Sequence, residues 1–335
     1  MKVVVTGATG NVGTSLVQGL AADEAVDEIV GVARRAPAWS VAKTTWTALD
    51  VRSDDLAAAF AGADAVVHLA WFFQPVRRPL VTWENNVVGS LRVFDAAAAA
   101  GAGALVYATS VGAYSPGPED GHRVDESWPT HSTPTAAYGR EKAYVERVLD
   151  TFELRHPEMR VVRMRPSFLF KAEAAAEQRR IFAGPLLPAR LVGRKWVPLV
   201  PAVPGLSFQA LHTDDVAEAY RLAVVNEVRG PFNLAADPVI TPEELGRVMG
   251  ARAVRLPKGL LIGATKAAFG AHLVPAPSEL VELFLSLPLL DTGRARRDLG
   301  WAPARTGTEA VESVIEGWRT GVDLPTPPLH RAAML

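Results

Sequence analysis

The sequence predicts an α/β fold: a parallel sheet covered by helices, followed by a smaller and more irregular part. Three observations carry that prediction. Short β-rich runs alternate with helical patterns over the first ~165 residues. The first of those runs is joined to the first helix by a turn that holds three glycines. Beyond Pro166 the texture changes: Pro185, Pro188, Pro198, Pro201 and Pro204 crowd together and the helical patterns shorten.

Val3-Val4-Val5 reads as a buried strand, and residues 11–22 carry Val12, Leu16, Val17 and Leu20 at helical spacing. Ile29-Val30-Gly31-Val32 is a second strand and residues 45–49 a third. Ala65-Val66-Val67 and Leu105-Val106-Tyr107 are the fourth and fifth. A long helical pattern over residues 80–100 separates these last two, and its alanines after Asp95 permit close approach to a neighbour. Residues 115–134, rich in Pro, Gly, Ser and charge, read as a loop. Thr133-Pro134 has the form of an N-cap followed by proline at the first helical position, which predicts a helix from there to about Arg155. Residues 161–164 form a sixth strand, stopped by Arg165-Pro166. Thr241-Pro242-Glu243-Glu244 opens another helix by the same signal, and the last ten or so residues are expected to fray.

Composition narrows the function classes. The chain has 335 residues, 49% hydrophobic and 21% charged, enough for a large core in one domain or two coupled ones. A formal net charge of -1 gives no overall pull toward nucleic acid or anionic membrane. The absence of cysteine removes disulfides, thiolate metal sites and cysteine nucleophiles together, and it suits a reducing compartment. The N-terminal apolar run is short and breaks into glycines, unlike a signal peptide. No apolar stretch reaches the ~18 to 20 residues of a membrane span, and Glu282 and Pro288 interrupt the best one. The expectation is a soluble cytoplasmic protein with a small-molecule substrate and no nucleic-acid or membrane partner.

Gly7-Ala8-Thr9-Gly10-Asn11-Val12-Gly13 follows a strand at once and opens a helix. In that context each glycine has a physical reason. The first makes a tight turn, the second lets backbone N–H groups approach a pyrophosphate, and the third allows close helix–strand packing. The helix N-terminus adds partial positive charge. The pattern predicts a dinucleotide site. Where an acidic residue would bind the ribose 2′-hydroxyl of NAD, the second strand ends in Ala33, then Arg34 and Arg35. Two guanidiniums suit a 2′-phosphate, so the expected cofactor is NADP in preference to NAD.

Tyr138 and Lys142 stand four residues apart and continue as a stripe through Val145, Leu149 and Phe152. They lie at the N-terminal end of the helix face that turns to the sheet, an odd place for a lysine unless something there needs it. A free tyrosine is a poor base, with a pKa of about 10. A neighbouring ammonium and a cationic nicotinamide would both favour the phenolate. Tyr138 would then exchange a proton with a substrate oxygen as hydride moves.

The three-then-three glycine spacing together with this Tyr–Lys pair resembles the extended short-chain dehydrogenase/reductase superfamily, also described as the NAD-dependent epimerase/dehydratase family. The resemblance implies a Rossmann-type doubly wound sheet in residues 1–166, with elements from residues 207–236 returning to it. Residues 167–335 are then mainly a substrate-binding part. It implies further site residues. Ser110, just past the fifth strand, would stabilise charge on the reacting oxygen, with Thr109 as the fallback in register. Asn86 would support Lys142 through water or backbone, and Lys142 would also bond the nicotinamide ribose. Asp50-Val51 matches the adenine contact. Leu69-Ala70 lines the cofactor, while His68 before them reads as structural. Pro166, Ser167 and Phe168 match the segment at the nicotinamide amide. Leu211 to Ala217 resembles a helix start capped by an aspartate, Val124-Asp125-Glu126 the acidic loop before the catalytic helix, and residues 291–303 the family's closing segment. A homodimer through the helices over residues 80–100 and 136–155 is likewise implied.

Membership would not fix the reaction, since one scaffold carries many chemistries. Sugar-nucleotide 4,6-dehydratases of this kind need an Asp-Glu pair directly after the serine, where this chain has Val111-Gly112. Epimerases with a cysteine acid/base are excluded. Hydride transfer to or from a carbonyl or secondary alcohol is expected, with sugar-nucleotide 4-epimerisation on bound NAD as the alternative. Trp71-Phe72-Phe73 and the apolar run after Ser167 favour a substrate less polar than a sugar nucleotide. A non-catalytic protein that senses NADP(H) is a third reading, disfavoured by the presence of Tyr138, Lys142 and Ser110 together.

Overall fold

Three consecutive valines leave the first strand no polar face. β1 (Lys2–Thr6) buries Val3 and Val5 against one layer of helices and Val4 against the other, which requires a sheet covered on both sides. The computed structural model describes residues 1–73, 77–182 and 199–330; Pro185, Pro188 and Pro198 lie outside them. After β1 come α1 (Asn11–Ala22), β2 (Glu28–Ala33), β3 (Thr44–Ala48), the single-turn α2 (Ala57–Phe60) and β4 (Ala65–His68). α3 (Pro79–Trp83) runs through a π-helical turn, Glu84–Val88, into α4 (Gly89–Ala99), followed by β5 (Ala104–Ala108), α5 (Ala137–Arg155) and β6 (Arg160–Pro166).

The rest of the chain adds β7 (Phe168–Phe170), α6 (Ala175–Phe182), β8 (Leu199–Ala202), β9 (Phe208–His212), α7 (Thr213–Val225) and β10 (Gly230–Leu234). It ends with β11 (Ala236–Ile240), α8 (Pro242–Met249), β12 (Arg252–Arg255), α9 (Lys258–Gly270), α10 (Ser278–Phe284), α11 (Gly293–Asp298) and α12 (Gly307–Thr320). Seven strands make one parallel sheet in the order β10-β6-β5-β4-β1-β2-β3. This is a Rossmann-type doubly wound sheet whose order reverses between β1 and β4. α1 and α7 pack on one face and α4 and α5 on the other. A smaller sheet, β11-β9-β7, is covered by α8 and α12. Among the described residues no helix is long and apolar enough to cross a membrane.

Four local expectations are corrected. Thr133 does not cap α5, which starts at Ala137 behind an uncapped Ala136. Ser132, in the left-handed region at φ 56, ties its N–H to the Ala113 carbonyl and its hydroxyl to that of Gly112, so the chain turns once more before the helix begins. The single helix expected over residues 80–100 carries the π turn. α7 is capped by His212, whose Nδ1 accepts from the Asp214 N–H at 3.2 Å, rather than by an aspartate. Of the last ten residues, expected to fray, the described ones, 326–330, are docked, with Thr326 and Leu329 fully buried; residues 331–335 lie outside the described ones.

One buried ionic cluster fixes α5 against the sheet. Glu146, on α5, is fully enclosed; it accepts from Arg165 at 2.9 and 3.0 Å and from Arg163 at 3.2 Å. Arg165 also donates to the Tyr114 hydroxyl and the Glu126 carbonyl, both at 2.9 Å. Replacing Glu146 by Gln leaves two buried guanidiniums without their carboxylate. That should cost about 3–5 kcal/mol in urea unfolding, whereas Glu153→Gln, at the exposed end of the same cluster, should cost under about 1 kcal/mol. Equal losses for the two variants would contradict this account.

Candidate active site

The glycine turn is held by backbone contacts on both sides. Gly7 sits at φ +71, and a Cβ there would lie 2.7 Å from the Ala70 nitrogen. A Cβ at Gly13 would lie 2.3 Å from the Gly7 carbonyl oxygen, so α1 presses directly on the turn. Together these bring the start of α1 to the crevice between β1 and β4, the switch point where ligands bind in such sheets.

The opening of α1 fits a dinucleotide pyrophosphate. Its N-cap, Gly10, offers no side chain to the first amides, and no acidic residue occupies the first turn. Those N–H groups and the positive end of the helix dipole are therefore free for an anion. A Cβ at Gly10 would meet only the Gly7 carbonyl at 3.4 Å and would otherwise fill the groove. That groove, of about 500 Å³, is lined by Gly7, Thr9 and Gly10 at one stretch and by Arg34, Arg35, Asp50 and Val51 at another. Leu69 and Ala70 line it as well. Among the described residues no cluster suits a metal ion.

Other expected cofactor residues do not line the groove. Asn11 turns away, accepting from the Thr213 hydroxyl at 3.0 Å, and Val12 packs against the core. Gly13 is spent on the helix–turn contact. Pro166 ends β6. Ser167 has a buried hydroxyl with no partner among the described residues, and Phe168 packs edge-on against Phe208 and Phe284, each at 5.0 Å. At the far end of the groove Arg34 and Arg35 are exposed, and Arg34 lies 5.8 Å from the Phe72 ring centre. The Asp50 carboxylate is held by the Arg52 fork at 2.6 and 3.0 Å and kept below its usual range by that bond.

Ser110, Tyr138 and Lys142 meet past the ends of β4 and β5. Ser110 caps a short 3₁₀ turn, its hydroxyl accepting from the Gly112 N–H at 3.0 Å. Burial pushes the Tyr138 phenol up to about 12, and a hydrogen bond with Ser110 pulls it back. The Thr109 hydroxyl is buried without a hydrogen-bond partner among the described residues. The Tyr138 ring packs on Gly112, where a Cβ would come within 2.8 Å of its Cε1, and on Phe73 at 4.5 Å.

Lys142 is held by a carbonyl and an indole. Its ammonium donates to the Ala108 carbonyl at 2.6 Å and lies 3.4 Å from the centre of the Trp71 ring. Burial lowers it far below the usual lysine range, opposed by Glu141 and Glu146. Asn86 is buried on the π turn and supports no lysine directly. Its side chain pairs with both backbone groups of Phe72, at 2.7 and 3.1 Å, and donates to Glu141 at 2.7 Å. Glu141 also accepts from Thr82 at 2.6 Å. This chain pins the aromatic segment Trp71-Phe72-Phe73 over the reaction centre.

His68 is structural. It is bonded to Thr6 at 2.6 Å and to Ser90 at 2.9 Å, stacks on Tyr107, and is driven down to about 3 by burial. Sequence reasoning missed Glu141, and it missed Glu177, Arg180, Pro327 and Pro328, which also border the groove. A glutamate buried at the third position after Tyr138 carries no distinguishing pattern in one sequence.

The profile of the NAD dependent epimerase/dehydratase family matches residues 3–235. The L-arabinose 1-dehydrogenase (NAD(P)(+)) of Haloferax volcanii is 32% identical over 189 residues, 53% of this chain and 70% of the relative. The UDP-glucose 4-epimerase 3 of Oryza sativa subsp. japonica is 26% identical over 92% of this chain and 87% of its own length. The crystal structure of the Thermus thermophilus UDP-glucose 4-epimerase in complex with NAD superposes with a TM-score of 0.71 at 20% identity, covering 96% of this chain and 100% of that one. With the profile match spanning both the glycine turn and the Tyr–Lys helix, this chain belongs to the NAD-dependent epimerase/dehydratase family and is an NAD-dependent enzyme of the short-chain dehydrogenase type.

Proposed function

We propose that the protein is an NADP-preferring oxidoreductase that acts on a carbonyl or secondary alcohol with apolar flanks, with Tyr138 as the acid/base. The meeting of Ser110, Tyr138 and Lys142 beside Trp71 and Phe73, which line the uncapped-helix groove, carries the reading. The cofactor, when bound, supplies or takes the hydride at C4 of its nicotinamide. The chain supplies the proton. Tyr138, a phenol held up to about 12, is protonated at neutral pH and gives its proton to the oxygen that gains charge as a carbonyl is reduced. Ser110 donates to the same oxygen. An ammonium has three donors, and Lys142 uses one on Ala108; the others suit ribose hydroxyls. The backbone after Pro166, at Ser167 and Phe168, is assigned to the nicotinamide amide. Asn86 is assigned to positioning, through Phe72.

The surroundings of Tyr138 support a substrate less polar than a sugar nucleotide. Phe72, Phe73, Ala136, Pro277 and Leu280 face the space beside it, and the polar groups there, Thr82, Asn86 and Glu141, bond one another. The second reading, 4-epimerisation of a sugar nucleotide on bound NAD, would use the same tyrosine and is favoured by the named activity of the rice and Thermus relatives.

We also propose a cytoplasmic homodimer joined through α3–α4 and α5. Leu80 is 72% exposed and Leu154 82%, and Trp83 and Tyr144, partly exposed, touch at 4.9 Å across the two helices. Such apolar surface suits a partner subunit. Leu154→Asp should shift the sedimenting species from dimer to monomer; an unchanged mass would oppose that interface.

Four further outcomes are expected. Tyr138→Phe should retain NADPH binding, read by nicotinamide fluorescence, while losing at least about a hundredfold in turnover of apolar ketones. In the parent enzyme reduction should hold across neutral pH and fall only on the alkaline side, as the phenol ionises. Epimerisation of UDP-glucose without added cofactor would instead establish the second reading. NADPH should bind more tightly than NADH, and Arg34→Ala should weaken NADPH by roughly tenfold or more with NADH little changed. Equal binding of the two by the parent protein would remove the role of Arg34.

A further inference from the structure

An element of the second part that reaches the groove is α6, and we infer that its Arg180 is a ligand for the pyrophosphate diester of the cofactor, reaching it from beside the glycine turn. The inference rests on the groove's being the cofactor site.

Placement comes first. Glu177 and Arg180 line the same groove as Gly7, Thr9 and Gly10. A second contact locates α6 along it. Lys171, which precedes α6, is buried and donates to the Thr14 hydroxyl at 2.6 Å and the Ser15 hydroxyl at 3.1 Å, both in the opening turns of α1. Glu177 lies within electrostatic reach of Lys171. α6 therefore runs beside the uncapped start of α1, and Arg180, three residues on from Glu177, stands about one helical turn further.

Chemistry comes second. The Arg180 Nε is buried and has no hydrogen-bond partner among the described residues, an arrangement that costs free energy unless an acceptor arrives. Donors and cations converge there: the first amides of α1, Lys171 behind them, and the Arg180 fork. Three carboxylates stand near Lys171: Glu173, Asp214, which accepts from Ser15 at 2.8 Å, and Glu177. The one that lines the groove is Glu177. Burial raises it to about 7, while Arg180 and Lys171 oppose the rise. A ligand with several anionic oxygens matches this set, and a guanidinium takes two of them at once. Glu177, which attracts Arg180 without bonding it, is the carboxylate the diester would compete with. A substrate diphosphate shares this chemistry, but the glycine turn in the same wall favours the cofactor.

The test is calorimetric titration of the full chain with ADP-ribose, which has the pyrophosphate diester, and with adenosine, which has no phosphate. Arg180→Met should weaken ADP-ribose and NADPH by roughly tenfold or more and leave adenosine unchanged. Arg180→Lys should restore part of the loss, and Glu177→Gln should tighten ADP-ribose by removing the competing carboxylate. ADP-ribose binding by Arg180→Met within about twofold of the parent, with an unchanged melting transition, would overturn the inference. So would an equal loss for adenosine, or a loss confined to UDP-glucose. A parent protein that binds neither NADPH nor ADP-ribose would instead sink the cofactor reading beneath it, whereas tight parent binding with an indifferent Arg180 would sink this inference alone.

Discussion

A carboxylate enclosed between two guanidiniums organises this molecule. Glu146 has no access to water, and it has two arginines of β6 for partners. Removing three charges from solvent is expensive, and only complete pairing makes it tolerable. The cluster therefore admits one orientation of α5 on the sheet. It also reaches further than the helix. Arg165 holds the Tyr114 hydroxyl, Tyr114 donates to Asn233 of β10 at 2.7 Å, and Asn233 takes the Glu126 carboxylate on its N–H at 2.8 Å. The loop after β5, the loop before α5 and the returning strand β10 are thus tied to the residue eight positions beyond Tyr138. The proximity of Ser110 and Tyr138, separated by 28 positions in sequence, depends on that tie.

Within the site, burial more than charge pairing sets the protonation states. His68 is kept neutral between two hydroxyls. Tyr138 is kept a phenol. The Lys142 ammonium is opposed by desolvation and supported by the Glu141 and Glu146 carboxylates, by the Ala108 carbonyl and by the face of Trp71. Trp71 in turn is held because Asn86 grips the next residue by both backbone groups. The π turn matters here: the extra residue it inserts accommodates Asn86 within the helix packed on α5.

Features that depend on neighbours in the chain were legible in the sequence. The valines of β1, the glycine turn and the stripe from Tyr138 to Phe152 each encode their geometry locally, and the sheet follows from their repetition. The remainder needed distant partners. The start of α5 is set by Ser132 bonding to the loop at Gly112 and Ala113, which no capping rule contains. Asn86 could be singled out, but Glu141 and Phe72 as its partners could not. Spacing shows that Tyr138 and Lys142 share a face; it does not show that the Ala108 carbonyl and the Trp71 indole hold the ammonium. Arg180 was passed over because a charged pair three apart on a short helix resembles any solvated surface.

The contact between Gly112 and the Tyr138 ring restricts what this scaffold can become. Dehydratases of the family carry an acid–base pair directly after the serine, and the second of those positions is Gly112 here. With 2.8 Å between a prospective Cβ and the ring, no side chain enters without displacing the tyrosine on which the chemistry depends. Any route from this chain to elimination chemistry, in evolution or by design, must therefore first relocate the aromatic ring, so the neighbouring activity is closed to single substitutions at that position.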